Sequence, residues 1–315
     1  MENLIYAFQA VAPTCMVMLS GVLLRKIGII TPELIRQGNR LCFQVLFPLL
    51  IFLNLYNAEE IDLHYIKVIL YIVGIILISV MILSLWIPKV VKERRQQSVM
   101  IQSIYRGNFM LYALPFSQVL GGPSCVALAT SVMAATLPIL NPIGVFVFSA
   151  FAEENEKPDF RRIILNTFKN SIIWGVMLGL AFYFLPISLP SFINHAGTDL
   201  SKIPTPLAFM LLGAQTELKT AKKNMRLLAG GIFAKLVVMP AVFLSIAVLV
   251  FGFRGMELIP IFIFLAAPTA ITNYQMAMQY DADTELAGDF LVYSMVASAI
   301  TIFLFIYILR EMQLI

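Results

Sequence analysis

Apolar residues run along this chain in long blocks, separated by short clusters of charge. About 20 mostly apolar residues suffice to cross a bilayer as a helix. The pattern predicts ten such helices, over residues 4–24, 38–57, 65–88, 99–120, 124–150, 163–186, 199–216, 227–252, 257–280 and 285–309. The second, fourth, seventh and ninth are the weakest. The seventh is short, and the fourth and ninth carry polar residues and an internal proline. The segment 4–24 has no cationic stretch before it and no small-residue cleavage site after it, so it reads as a retained membrane helix and not as a signal peptide.

Composition agrees with this pattern. Of 315 residues, 60% are hydrophobic and 13% charged, and mean hydropathy is +0.87; a soluble domain carries about 25% charged residues. The net charge of +4 comes from basic loops. Arg25, Lys26, Arg36 and Arg40 bracket the first loop, and Lys89, Lys92, Arg94 and Arg95 fill the third. Lys157, Arg161 and Arg162 fall in the fifth, and Lys219, Lys222, Lys223 and Arg226 in the seventh. The alternate loops hold only Lys67, Lys202 and Arg254. By the positive-inside rule the basic loops face the cytoplasm and both termini lie outside, which suits a plasma (inner) membrane protein. The acidic ninth loop, 281–285, falls on the cytoplasmic side, but acidic residues weigh little in that rule. No basic stripe with interleaved aromatics points to nucleic acid. Cys15, Cys42 and Cys125 form no motif, and His64 and His195 are too far apart in sequence to suggest a metal site.

Ten helices with both ends outside divide into five plus five, residues 1–155 and 156–315, and an odd number per half requires opposite insertion. Pro48-Leu49 matches Pro206-Leu207, Asn108-Phe109 matches Asn273-Tyr274, and Ser131-Val-Met-Ala134 matches Ser294-Met-Val-Ala297. Their common order and similar spacing predict an inverted repeat, a signature of secondary transporters. The expected fold class is an all-α polytopic membrane protein.

The chemistry concentrates in helices 4 and 9. Pro115 has no N–H and clashes with the carbonyl of Leu111, which predicts a break there. Asn108 lies two turns earlier on nearly the same face. Pro268 frees the carbonyl of Phe264 and is followed by Thr269, Thr272, Asn273 and Gln275. If the breaks cross, two half-helix N-termini point at one locus and form a site for a carboxylate. Ordinary kinks with amides joining helices are the plainer alternative, but paired interrupted segments favour a site.

The Gly-Asn-Phe-x₅-Leu-Pro run (107–115), the Ala-Pro-Thr-Ala-x-Thr-Asn-Tyr run (267–274) and the Pro-Leu-x₅-Gly-Ala run (206–214) resemble the auxin efflux carrier family, across the whole chain. That family includes plant PIN-FORMED exporters and bacterial permeases assigned to malate or malonate. This chain lacks the long central loop of many plant members. The resemblance implies crossing helices 4 and 9, lined by Asn108, Pro115, Pro268 and Asn273. It also implies a scaffold of helices 1, 2, 6 and 7 that forms a homodimer, and a transport domain of helices 3–5 and 8–10 moving in an elevator-like way.

Several residues remain open to two readings. Asn54 and Gln215 either face substrate from the scaffold or join helices. Asn141-Pro142 marks a further kink. Arg106 either snorkels to the cytoplasm or steers an anion. Lys235 and Asp289 are charges inside predicted spans and so functional candidates, as a mutual salt bridge or with Asp289 as a proton carrier. The expectation is a secondary carrier of a small organic anion with no cofactor, coupled to protons or sodium. The rivals are a sodium-coupled symporter of the bile-acid type and a channel or sensor. A membrane enzyme is disfavoured, because no cluster of His, Asp or Cys lies at membrane depth.

Overall fold

The computed structural model describes residues 1–57, 65–151, 171–185, 187–215 and 224–315. His64, the basic residues of the fifth loop, Lys219, Lys222 and Lys223 of the seventh, and the start of the predicted sixth span lie outside the described residues. Among the described residues the chain is helical throughout, with one isolated β-bridge between Gly107 and Thr269.

Helix α1 spans Glu2–Lys26 and α2 Pro32–Tyr56, the latter with a π-helical turn at Cys42–Leu46. The start of α2 is set by Thr31, whose hydroxyl accepts from Leu34 N at 3.2 Å, and by Pro32 in the first turn, where its missing N–H costs nothing. Helix α3 is Ile66–Val90 and α4 is Arg94–Tyr105. The next helical stretch, Phe109–Ala150, holds 42 residues, about 63 Å at 1.5 Å per residue and twice the hydrocarbon thickness. Gly122 divides it with φ 71° and ψ −165°, a region that only glycine enters readily. We label 109–121 as α5 and 123–150 as α6.

Helices α7 (described over Ser171–Phe184), α8 (Ser191–Ser201) and α9 (Pro204–Ala214) follow. Helix α10 runs Met225–Leu249 with a second π turn at Ala234–Val238. Helices α11 (Leu258–Ala266), α12 (Ile271–Gln279) and α13 (Thr284–Glu311) complete the chain. Six described helical stretches are long and apolar enough to cross a bilayer: Glu2–Lys26, Pro32–Tyr56, Ile66–Val90, Phe109–Ala150 (α5 and α6 taken together), Met225–Leu249 and Thr284–Glu311. The chain is therefore an integral, multi-pass membrane protein. Exposed Leu, Ile, Phe and Trp side chains cover these helices, as expected of a surface solvated by lipid.

Helix α1 packs along α9, and the second half of α2 packs along α7. In both pairs the backbones approach at glycines, Gly21 and Gly213 in the first, Gly175 and Gly179 in the second, the small-residue packing usual where lipid supplies no hydrophobic drive. Helix α11 packs on the 109–150 stretch, which brings the two polar segments together.

Two clusters tie loops at opposite ends of the bundle. At one end Arg95 Nη2 meets Asp281 Oδ1 at 2.8 Å, and Gln96 Nε2 donates to Asp283 at 3.0 Å and to Asn224 at 3.3 Å. Asp283 also caps α13 through Leu286 N at 2.9 Å. At the other, Tyr6 donates to Val119 O, the Arg310 guanidinium stacks over the Tyr6 ring, and Gly255 N donates to Leu314 O at 2.7 Å.

Candidate functional site

Helices α4 and α5 are separated by an extended link at 106–108, and α11 and α12 by one at 267–270. Arg106 has φ −98° and ψ 102°, Ala267 φ −59° and ψ 135°, Ala270 φ −71° and ψ 141°. The links run antiparallel and satisfy each other: Asn108 N donates to Pro268 O at 2.7 Å and Ala270 N to Arg106 O at 3.2 Å. Backbone outside a helix survives at membrane depth only when paired in this way or facing a polar cavity.

The break in the second half falls at Pro268, as expected, because proline lacks the N–H and drives Ala267 into the extended region. In the first half it falls at Arg106-Gly107-Asn108 and not at Pro115. Pro115 sits seven residues into the stretch beginning at Phe109, and the helix passes through it. Gly107 explains the site of the break: a Cβ there would lie 2.9 Å from the Ala267 carbonyl oxygen, so only glycine lets the two links meet.

On one side of the crossing lies a cavity of about 60 Å³, walled by Arg106, Asn108, Leu140, Asn141 and Thr272 and by the starts of α5 and α12. Phe43 from the α2 π turn and Ile172 from α7 add to its lining. The first-turn N–H groups of Phe109, Met110, Ile271 and Thr272 have no partner within their own helices, and all four residues line the cavity. Arg106 is 4% exposed. Its Nη2 donates to Asn141 Oδ1 at 2.6 Å and its Nη1 to Leu140 O at 3.3 Å. Gly144 makes room for it, since a Cβ there would lie 2.9 Å from Nη1. Arg106 therefore does not snorkel. Asn141, taken from the sequence as a kink marker, stands in a continuous helix and orients the guanidinium.

Elsewhere the crossing is closed by hydrogen bonds. Thr269 Oγ1 donates to Ser103 O at 3.0 Å, Ser294 Oγ accepts from Thr269 N at 3.1 Å, and Asn273 Nδ2 bonds Ser103 Oγ. Asn273 is fully buried and absent from the cavity wall. The two asparagines thus take different places: Asn108 is one residue past its half of the bridge, Asn273 four past the other. Lys235, on the second π turn, is 1% exposed, with Nζ facing Gly107. Its expected salt bridge with Asp289 is not made: the ion pairs among the described residues are Arg36–Glu33, Arg95–Asp281 and Lys202–Asp199. Asp289 is half-buried on α13, one turn after Glu285.

The remaining candidates are not gathered at the cavity wall. Gln275 is exposed, Asn54 is half-buried on α2, and Gln215 Nε2 donates to Leu211 O at 3.2 Å. Ser103, Ser294 and the cavity role of Asn141 escape a reading of the sequence, because each depends on a partner far along the chain.

Helices on both sides of two interrupted, mutually paired segments, around a cavity lined by a buried arginine, define a membrane transport protein. The family model described as "Membrane transport protein" matches residues 6–306, and the chain belongs to this family, the auxin efflux carrier type of membrane transporter. It is a family of transporters and not of enzymes. No curated protein matches the chain.

Proposed function

We propose that this chain is a secondary carrier of a small organic anion, a mono- or dicarboxylate or an auxin-like aromatic acid, with the anion bound at the Arg106 cavity. One observation carries the reading: a buried guanidinium and the starts of two half-helices converge on one cavity, and among the described residues its wall holds no acidic side chain. Helix starts and arginine both favour carboxylates. At about 60 Å³ the cavity has room for roughly two waters, so the anion enters only when the wall of α2 and α7 moves away from the crossing. Alternating access by an elevator-like shift of the crossing helices against a scaffold of α1, α2, α7 and α9 supplies that movement.

An inverted repeat of five plus five spans is supported by packing. Pro48 and Pro206 are offset by 206 − 48 = 158 residues. A Cβ at Gly21 would overlap the carbonyl of Met210. Shifted by the same offset, that contact becomes Gly179 against Phe52, and a Cβ at Gly179 would lie 3.2 Å from Phe52 O. The clusters at the two ends of the bundle support an even number of crossings. They place the regions of Tyr6, Val119, Gly255 and Leu314 together and those of Arg95, Asn224 and Asp281 together. The basic loops put the second group in the cytoplasm and both termini outside the plasma membrane. The homodimer through the scaffold rests on the family resemblance.

The test is counterflow. Purified protein in proteoliposomes, preloaded in turn with malonate, malate and an aromatic acid chosen by a thermal-shift screen, is expected to exchange at least one of them saturably. Ohmic single-channel currents without counterflow would make the protein a channel. Neither exchange nor thermal stabilisation by any carboxylate would end the anion reading.

A further inference from the structure

The anion reading leaves Lys235 without a task, although it is the more deeply buried of the two charged side chains at the crossing, 1% exposed against 4% for Arg106. It stands on the π turn of α10, and this turn packs against α4, α11 and α13. Single π turns inside α-helices are frequent at functional sites. An ammonium taken out of water is costly unless oxygens surround it, and no carboxylate of a described residue pairs with it. The point occupied by a Cβ on Gly107 lies 3.1 Å from Lys235 Nζ and 2.9 Å from Ala267 O. Ala267 is the cap residue that ends α11. Both atoms flank that one point, so the ammonium lies within about 6 Å of the carbonyl end of a half-helix, where the helix dipole is negative and favours a cation. The crossing also retains buried oxygens without a hydrogen-bond partner, Gln102 Oε1, Thr272 Oγ1 and Asn273 Oδ1.

We propose that Lys235 is a tethered cation: its ammonium holds the position at the carbonyl end of α11 that a free coupling cation would otherwise fill, and the crossing needs no sodium. The two kinds of helix terminus are then divided, with α5 and α12 presenting N–H groups to the anion and α11 giving its carbonyl end to Lys235. The proposal rests on the carrier reading for its meaning in transport, but its test contains no carboxylate, so the two fail separately.

Thermal unfolding of the purified full chain in detergent is compared in sodium, potassium and choline chloride at equal ionic strength. The wild-type midpoint is expected to be the same in all three. Lys235→Ala and Lys235→Gln should unfold earlier in choline and recover saturably with sodium or potassium, while Lys235→Arg should keep its midpoint without either. A saturable sodium-specific stabilisation of the wild type would overturn the proposal. So would neutral variants as stable as the wild type in choline, a loss that no alkali cation recovers, or failure of both neutral variants to fold even in sodium, since each of these makes Lys235 a packing residue or none at all.

Discussion

The two sides of the crossing are built from one pair of backbone links and end in opposite states. The side facing α2 and α7 is open enough to hold a cavity, and its cation, Arg106, is oriented by neutral oxygens of Asn141 and Leu140. An arginine held this way keeps its charge available. The other side is closed: Ser103 and Ser294 take up Thr269 and Asn273, and Lys235 lies against the glycine of the link. The difference teaches that polar residues in a membrane interior divide into those left able to meet a ligand and those consumed in holding the break. Counting polar residues on a broken helix does not separate the two kinds, and their partners do.

Replacing the cavity cation should break the comparison most strongly. Arg106→Gln keeps a hydrogen-bonding side chain and removes the charge. Hydrogen bonds to charged groups contribute about 1.5–3 kcal/mol, so carboxylate exchange in proteoliposomes should fall by about 10- to 150-fold. Exchange near the wild-type rate would mean that the open side is not where the anion sits.

The two asparagines sharpen the comparison with smaller effects. Asn108→Ala removes a cavity-lining amide whose Nδ2 has no protein partner. The half-saturation concentration for exchange should rise by roughly two- to tenfold, the worth of about 0.5–1.5 kcal/mol for a neutral hydrogen bond, with the thermal midpoint unchanged. Asn273→Ala strands the buried Ser103 hydroxyl and should lower stability by about 1–3 kcal/mol, read by thermal unfolding, with half-saturation little changed. The opposite assignment of the two effects would move the anion to the closed side.

The sequence made the membrane character legible, because apolar blocks of bilayer length need no tertiary context. It also made the second break legible, since Pro268 acts on its own neighbours. The first break was misplaced because proline is the stronger local signal. Gly107 matters only through the Ala267 carbonyl, some 160 residues away. The snorkelling reading of Arg106 fails for a related reason. The buried Gln96, Gln97 and Gln102 of α4 lower its hydropathy, so the span seemed to begin at 99, with Arg106 near its end. The helix begins at Arg94, which carries Arg106 about 18 Å along the axis, well into the protein. Lys235 stood out as a charge in an apolar span, but its true neighbour was not Asp289. Salt-bridge partners cannot be chosen from a sequence when one of them can reach water.

Pro115 offers the mildest perturbation and a direct check on where the first break lies. Its ring leaves the carbonyl of Leu111 without an N–H partner inside α5, and alanine would restore that bond. Proline in a helix interior costs about 3 kcal/mol relative to alanine in water, and less in membranes, where neighbours re-satisfy the freed group. Pro115→Ala should therefore leave the thermal midpoint equal to or above that of the wild type. Exchange should stay within about twofold, as for changes away from any packing or hydrogen-bonding feature. The links at 106–108 and 267–270 hold each other through Asn108 N and Ala270 N, and neither bond involves Pro115. A loss of exchange as large as that of Arg106→Gln would show instead that Pro115 is needed to aim the start of α5 at the anion.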